Sequence, residues 1–137
     1  SGDAQVYGDA RVSGDARVSG DARVSGDAQV YGDARVSGNA QVYGDAQVYG
    51  DASIIWFTKV GSDNGTLTVF RSATGLLATR GCFIGTDEQF LDAVDQKHGA
   101  SKIGHEYRLL IEVARSRIDV SKPVPESAAS PTNSKEM

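Results

Sequence analysis

A glycine at every sixth position decides what the first part of this chain can fold into. Gly2-Asp3-Ala4-Gln5-Val6-Tyr7 is followed in register by Gly8-Asp9-Ala10-Arg11-Val12-Ser13, and the hexapeptide runs nine times, to the degenerate Gly50-Asp51-Ala52-Ser53-Ile54-Ile55. The recurring apolar residues stand two apart, as Ala4 and Val6 or Ala10 and Val12, which is the spacing of one face of a strand. Their neighbours, such as Gln5 and Tyr7, then point the other way, toward solvent. Gly-Asp is turn chemistry, since glycine takes backbone angles other residues avoid and aspartate bonds its own backbone. A helix would lose roughly 1 kcal/mol per unit to the recurring glycine, and collagen needs glycine at every third position. What remains is a short strand followed by a corner, repeated, which stacks as a parallel solenoid.

The pattern Val-x-x-x-Ala-x over residues 2–55 resembles the hexapeptide repeat of left-handed β-helix proteins. The resemblance implies three hexapeptides per triangular coil, hence three coils. At a strand spacing of about 4.8 Å the prism is roughly 14 Å tall. Units 1, 4 and 7 then share a face, as do units 2, 5 and 8, and units 3, 6 and 9. Gln before Val always goes with Tyr after it (Gln5/Tyr7, Gln29/Tyr31, Gln41/Tyr43, Gln47/Tyr49), and Arg with Ser (Arg11/Ser13, Arg17/Ser19, Arg23/Ser25, Arg35/Ser37). The second face is expected to carry a Tyr31–Tyr49 ladder, and the third Arg17 and Arg35 beside Ser19 and Ser37. Duplication of two unit types explains the correlation; so does a tyrosine surface packed on another subunit, with Tyr31, Tyr43 and Tyr49 as interface candidates. Members of the family commonly form trimers, so the resemblance implies a homotrimer.

Aspartate recurs at every corner except Asn39. Regular carboxylates invite a calcium site or a mimic of a phosphate backbone. Calcium-binding β-rolls, however, use a glycine-richer nonapeptide, and four arginines lie among the eight repeat aspartates. Asparagine makes the same turn, so the row reads as turn chemistry.

With 137 residues the chain holds one compact domain or two small modules. The net charge of −4 lies wholly in the repeat and argues against nonspecific nucleic-acid or lipid binding. The single cysteine, Cys82, excludes an intrachain disulfide and fits a reducing cytoplasm. No apolar run approaches membrane-spanning length. The chain opens on Ser-Gly inside the repeat, which reads as a trimmed N-terminus. A solenoid exposes strand edges and core at its ends and so needs caps.

Composition changes after residue 55, and three segments follow: the repeat (1–55), an α+β capping or binding module (56–118) and a disordered tail (119–137). Ser53 to Val60 reads as a buried strand leaving the last coil, with Trp56 and Phe57 packed at the junction. Gly61-Ser62-Asp63-Asn64-Gly65 is a hairpin signal. Thr66–Arg71 alternates as a second strand, and Leu76–Phe83 reads as a third. Thr86-Asp87-Glu88-Gln89 is a capping box for a helix ending near His98-Gly99. Ser101 caps a second helix carrying Tyr107, Leu110, Ile111 and Ala114. The module is expected to cover the open end of the last coil. The fold class is thus mainly β, a three-coil left-handed parallel β-helix capped by a small α+β module.

Thr66-Leu67-Thr68-Val69-Phe70-Arg71, Arg80-Gly81-Cys82-Phe83-Ile84-Gly85-Thr86, His98-Gly99 and Tyr107 resemble a small C-terminal domain of uncharacterised phage and prophage proteins, over residues 56–115. The resemblance implies a phage accessory protein with no defined activity, acting in the cytoplasm of the bacterial host, where such proteins often oppose host defences. For binding, the candidates are Ser62, Asn64, Arg71 and Arg80 around an anionic group, with Trp56 or Phe57 as a stacking platform; the two arginines read equally as solvent-facing strand ends. An enzyme would need Cys82 activated by His98 or His105, but the cysteine also reads as a buried apolar residue. Acyltransferases of the β-helix family use a histidine in or beside the coils, and residues 1–55 contain none. Metal-ligand spacing, phosphate-binding loops and dinucleotide fingerprints are absent from the sequence, so no cofactor or metal is expected. The reading is a non-enzymatic, phage-encoded counter-defence protein that sequesters a nucleotide-like signal or blocks a host protein. A rigid spacer or virion scaffold, and a cysteine-dependent enzyme, are the alternatives.

Overall fold

The computed structural model describes residues 4–44, 46–49, 53–62, 65–72, 75–81, 83–118 and 120. The repeats form two-residue strands: β1 (Gln5–Val6), β2 (Arg11–Val12), β3 (Arg17–Val18), β4 (Arg23–Val24), β5 (Gln29–Val30), β6 (Arg35–Val36), β7 (Gln41–Val42) and β8 (Gln47–Val48). They stack in parallel as β1-β4-β7, β2-β5-β8 and β3-β6. Pairing is between like positions, Gln5 on Arg23 and Val6 on Val24, then Arg23 on Gln41 and Val24 on Val42. A step of eighteen residues, from 5 to 23, therefore returns the chain to the same face. This is the parallel solenoid that the six-residue period requires.

Alanine and valine fill the interior. Burial deepens along the axis: Val6 is 45 % exposed, whereas Val24, Val30, Val36, Val42 and Val48 are fully buried. Each fully buried valine contributes roughly 1.5–3 kcal/mol. At the corners the chain needs glycine. Gly32 turns with φ 64°, and a Cβ there would lie 2.2 Å from the carbonyl oxygen of Tyr49 on the next coil.

The second part is a four-stranded antiparallel sheet with two helices. Its strands are β9 (Ile54–Val60), β10 (Gly65–Arg71), β11 (Leu76–Arg80) and β12 (Phe83–Thr86), in the order β12-β11-β10-β9; the helices are α1 (Asp87–His98) and α2 (Lys102–Arg117). The single return strand expected over Leu76–Phe83 is instead two, because the chain turns at Gly81 with φ 60° and β12 folds back on β11. Thr86 does cap α1: its hydroxyl accepts from Gln89 N–H at 3.0 Å, and the Gln89 side chain accepts from Thr86 N–H at 2.9 Å. Gly99 ends α1, and the Ser101 side chain accepts from Gly104 N–H to open α2.

The sheet is covered on both sides. Ile54, Trp56, Phe70 and Leu77 pack on the solenoid core. Leu67, Val69 and Ala78 pack with Phe90, Val94, Tyr107 and Ile111 of the helices. Leu67 to Phe70 are consequently buried on either face. Strand alternation also separates the two aromatic residues expected together at the junction: Trp56 turns to the solenoid and Phe57 to the helix side.

The solenoid ladder ends on side chains. The carbonyls of Ala40 and Val42 point back to the preceding coil, accepting from Arg23 and Ser25 N–H at 3.0 and 2.9 Å. The intervening Gln41 peptide groups point onward, where another coil would stand. There Gln41 N–H donates to Thr68 Oγ1 at 3.1 Å, and Thr79 Oγ1 donates to the Gln41 carbonyl at 2.8 Å. Thr68 and Thr79 are cross-strand neighbours on the same sheet face, so the cap supplies a donor and an acceptor at coil spacing. On the second face Ser72 forms a β-bridge with Ala46. Among the described residues no helix is long and apolar enough to cross a membrane. Of the expected tail, only residue 120 is among the described residues.

Candidate functional site

One wall of a wide cleft is the first solenoid face. Gln5, Arg23 and Gln41 stack in register along it, flanked by the corner residues Asp21 and Asn39. The facing wall is the tip of the β9–β10 hairpin, with Thr58, Lys59 and Thr66, and Arg80 at the end of β11 closes one side. The cleft is open to solvent and has a volume of about 1050 Å³.

Lys59 owes its place to a bulge. Gly65 pairs with Val60 and Thr66 with Thr58, so Lys59 is the extra residue, held at φ 62°. A side chain in that left-handed region costs roughly 1 kcal/mol or more relative to glycine, and such strain often accompanies function.

Arg80 is held by its neighbours. Its Nη2 donates to the Ser62 carbonyl and its Nε to the Tyr107 hydroxyl at 3.1 Å. That hydroxyl also accepts from Ser62 N–H at 3.2 Å, while Gly61 N–H donates to Glu106 at 2.5 Å. The hairpin tip is thereby tied to α2, and the wall of the cleft is braced by a phenol that is itself buried.

The electrostatics run against the chain as a whole. The net charge is −4, yet the described residues lining the cleft bring Arg23, Lys59 and Arg80 against the single carboxylate of Asp21. A cleft of one sign focuses the field on ligands of the other. The guanidinium fork of Arg23, the Nη1 side of Arg80, an ammonium and three side-chain amides form a donor set suited to phosphate or carboxylate oxygens. The one break in the aspartate row, Asn39, lines this cleft and removes a negative charge from it.

Of the residues singled out in the sequence, Arg80 lines the cleft and Ser62 braces it. Trp56 packs against the end of the solenoid. Arg71 is 2 % exposed and sits in a buried seam with Tyr31 and Tyr49. Asn64 and Cys82 lie outside the described residues. The ladder expected on the second face is present: the Tyr31 and Tyr49 rings are 6.2 Å apart. Tyr31 does not face solvent, however. It is only 4 % exposed, because the end of β10 runs over that face and joins it through Ser72. Burial raises the Tyr31 pKa, the neighbouring Tyr49 adds to the rise, and Arg71 opposes it. Tyr43 is engaged within the chain, its hydroxyl lying 3.3 Å from the carbonyls of both Gly81 and Phe83. Arg23, Lys59, Gln5 and Gln41 were not among the residues singled out. Arg23 interrupts a glutamine column, and Asn39 interrupts the aspartates; those two irregularities were the available signals.

Among the described residues no cluster of three His, Cys, Asp or Glu side chains is placed to hold a metal ion. Comparison with known proteins bears on the repeat. Residues 4–17, 16–28 and 28–44 match the family model described as YdcK Beta solenoid repeat. The N-terminal part is a β-solenoid by sequence similarity as well as by geometry. No curated protein and no solved structure matches the chain.

Proposed function

We propose that this protein binds, without chemical conversion, a small phosphate-bearing, nucleotide-like anion in the cleft between the solenoid and the β9–β10 hairpin. The observation that carries this reading is the convergence of Arg23, Lys59 and Arg80 on one cleft of an otherwise acidic chain. In this reading the solenoid is left-handed, the protein is a homotrimer, and it sequesters its ligand in the cytoplasm of a phage-infected bacterium as a counter-defence. The resemblance of the hexapeptide pattern to left-handed β-helix repeats supports the hand and the assembly; the resemblance of residues 56–115 to a domain of phage and prophage proteins supports the setting.

The test is calorimetric titration of the full chain with inorganic tripolyphosphate at low and moderate salt. Binding that weakens with salt, and falls about tenfold in Arg23→Gln, is expected, as for loss of one charged hydrogen bond. Absence of binding at low salt refutes the reading. Native mass spectrometry of freshly purified protein reads the assembly state in the same sample.

A further inference from the structure

The first face carries a pattern found on neither of the others. Its outward column reads Tyr7, Ser25, Tyr43, with a small residue between two phenols, because an Arg/Ser unit is stacked between two Gln/Tyr units. The second face reads Ser13, Tyr31, Tyr49, and there the adjacent rings close on one another at 6.2 Å. The third begins with Ser19 and Ser37 and has no tyrosine at either position. The alternation of unit types therefore leaves one interrupted aromatic ladder, and it stands beside the cationic cleft.

We propose that the gap between Tyr7 and Tyr43 receives the planar base of a nucleotide whose phosphates lie in the cleft. The proposal rests on the cleft reading and adds to it the seat of the ligand's base. Coils stack at about 4.8 Å, so positions two coils apart are separated by about 9.6 Å along the axis. A ring seated over Ser25 lies about one coil step from each phenol, and the Tyr31 and Tyr49 rings, one coil apart at 6.2 Å, show that such a step falls inside the range of about 4.5–7 Å in which aromatic rings stack. The groove formed by Tyr7, Ser25 and Tyr43 has a volume of about 220 Å³ and shares Arg23 and Gln41 with the cleft, so the two spaces are neighbours on one face. One platform is fixed in advance, since the Tyr43 hydroxyl lies within hydrogen-bond distance of the Gly81 and Phe83 carbonyls. The other, Tyr7, is 50 % exposed. Arg23 reaches both spaces and can contact the ring face or the first phosphate; the Gln41 amide can meet a base edge. Stacking of this kind tolerates different bases.

The experiment compares two probes of similar charge, ATP and inorganic tripolyphosphate, by calorimetry on the full chain and on two variants. Ser25→Tyr fills the gap; the Tyr31–Tyr49 pair shows that tyrosines on adjacent coils are accommodated. Tyr7→Ala removes the exposed platform, and thermal unfolding confirms that each variant folds. Expected is an affinity for ATP about tenfold or more above that for tripolyphosphate. Both variants lose that preference while their tripolyphosphate affinity stays unchanged. Equal affinity of the parent chain for both probes overturns the base slot and leaves the anion cleft standing. An ATP preference that survives both substitutions also overturns the slot. Failure of both probes to bind overturns the slot together with the cleft.

Discussion

Replacing Thr79 by valine tests whether side-chain hydroxyls terminate the solenoid. Thr79 is 1 % exposed, and its hydroxyl donates to the Gln41 carbonyl at 2.8 Å. Valine keeps the shape and removes the donor, leaving a coil-edge acceptor that faces the cap without its partner. An unsatisfied buried polar group costs about 1–3 kcal/mol, offset by up to about 0.8 kcal/mol for the added buried methyl. With the full offset the expected loss is thus about 0.2–2.2 kcal/mol, centred near about 1 kcal/mol. Thr68→Val removes the acceptor for Gln41 N–H at the neighbouring position and is expected to cost a similar amount. Because both hydroxyls serve Gln41, the double variant should depart from additivity, in the manner of groups sharing a partner. Thr58→Val, exposed on the same strand face, is the control and should stay within about 0.5 kcal/mol. Urea unfolding at fixed m-value reads all four. If Thr79→Val and Thr68→Val both fall in the range of the control, the hydroxyls do not terminate the ladder and the account of the cap fails.

Three further outcomes follow from the geometry. Gly32→Ala puts a methyl into the Tyr49 carbonyl at φ 64° and should cost more than about 2 kcal/mol in urea unfolding, whereas Gly75→Ala, with open space around it, should change stability by less than about 0.5 kcal/mol. Lys59→Gly relieves the left-handed bulge residue and should raise stability by about 0.5–1 kcal/mol while weakening tripolyphosphate binding several-fold; a variant that gains stability with unchanged binding would remove Lys59 from the site. The Tyr31 phenol has its folded-state pKa above the usual 10.0, so the folded state keeps a proton that the unfolded chain releases. Its contribution is intact below about pH 10 and is lost as pH rises through the folded value, so Tyr31→Phe should flatten the alkaline decline of the urea midpoint.

The solenoid could be read in advance because its information is periodic. One glycine spacing fixes the corner, the Ala-Val spacing fixes the inward face, and a coil of three units fixes which residues stack. The Tyr31–Tyr49 contact follows from counting alone. Capping residues are equally local, and Thr86, Gly99 and Ser101 stand where their chemistry suggested. The burial of Tyr31 is different in kind. An outward side chain stays exposed only if no other part of the chain crosses it, and nothing within a hexapeptide records the path of β10. The cleft posed the same difficulty. Arg23 and Lys59 are 36 positions apart in the sequence and meet only because the hairpin lies against the first face. Separating Trp56 from Phe57 needed no distant information: consecutive strand residues cannot share a face, and strict alternation would have divided them.

The grip of Thr68 and Thr79 on Gln41 has a bearing on how such a chain can change its length. The cap touches the ladder at its last rung, so it registers the orientation of that rung and carries no record of how many stand behind it. Since eighteen residues restore the same face, gain or loss of whole eighteen-residue blocks well before Gln41 lengthens or shortens the rod while presenting an identical platform. A change of six or twelve residues between Arg23 and Gln41 leaves Gln41 under the cap but carries Arg23 to another side of the prism, separating it from Arg80 although every local sequence is still a sound repeat. Length between Arg23 and the cap is therefore a quantity with a phase, and heredity can alter it there freely only in full turns.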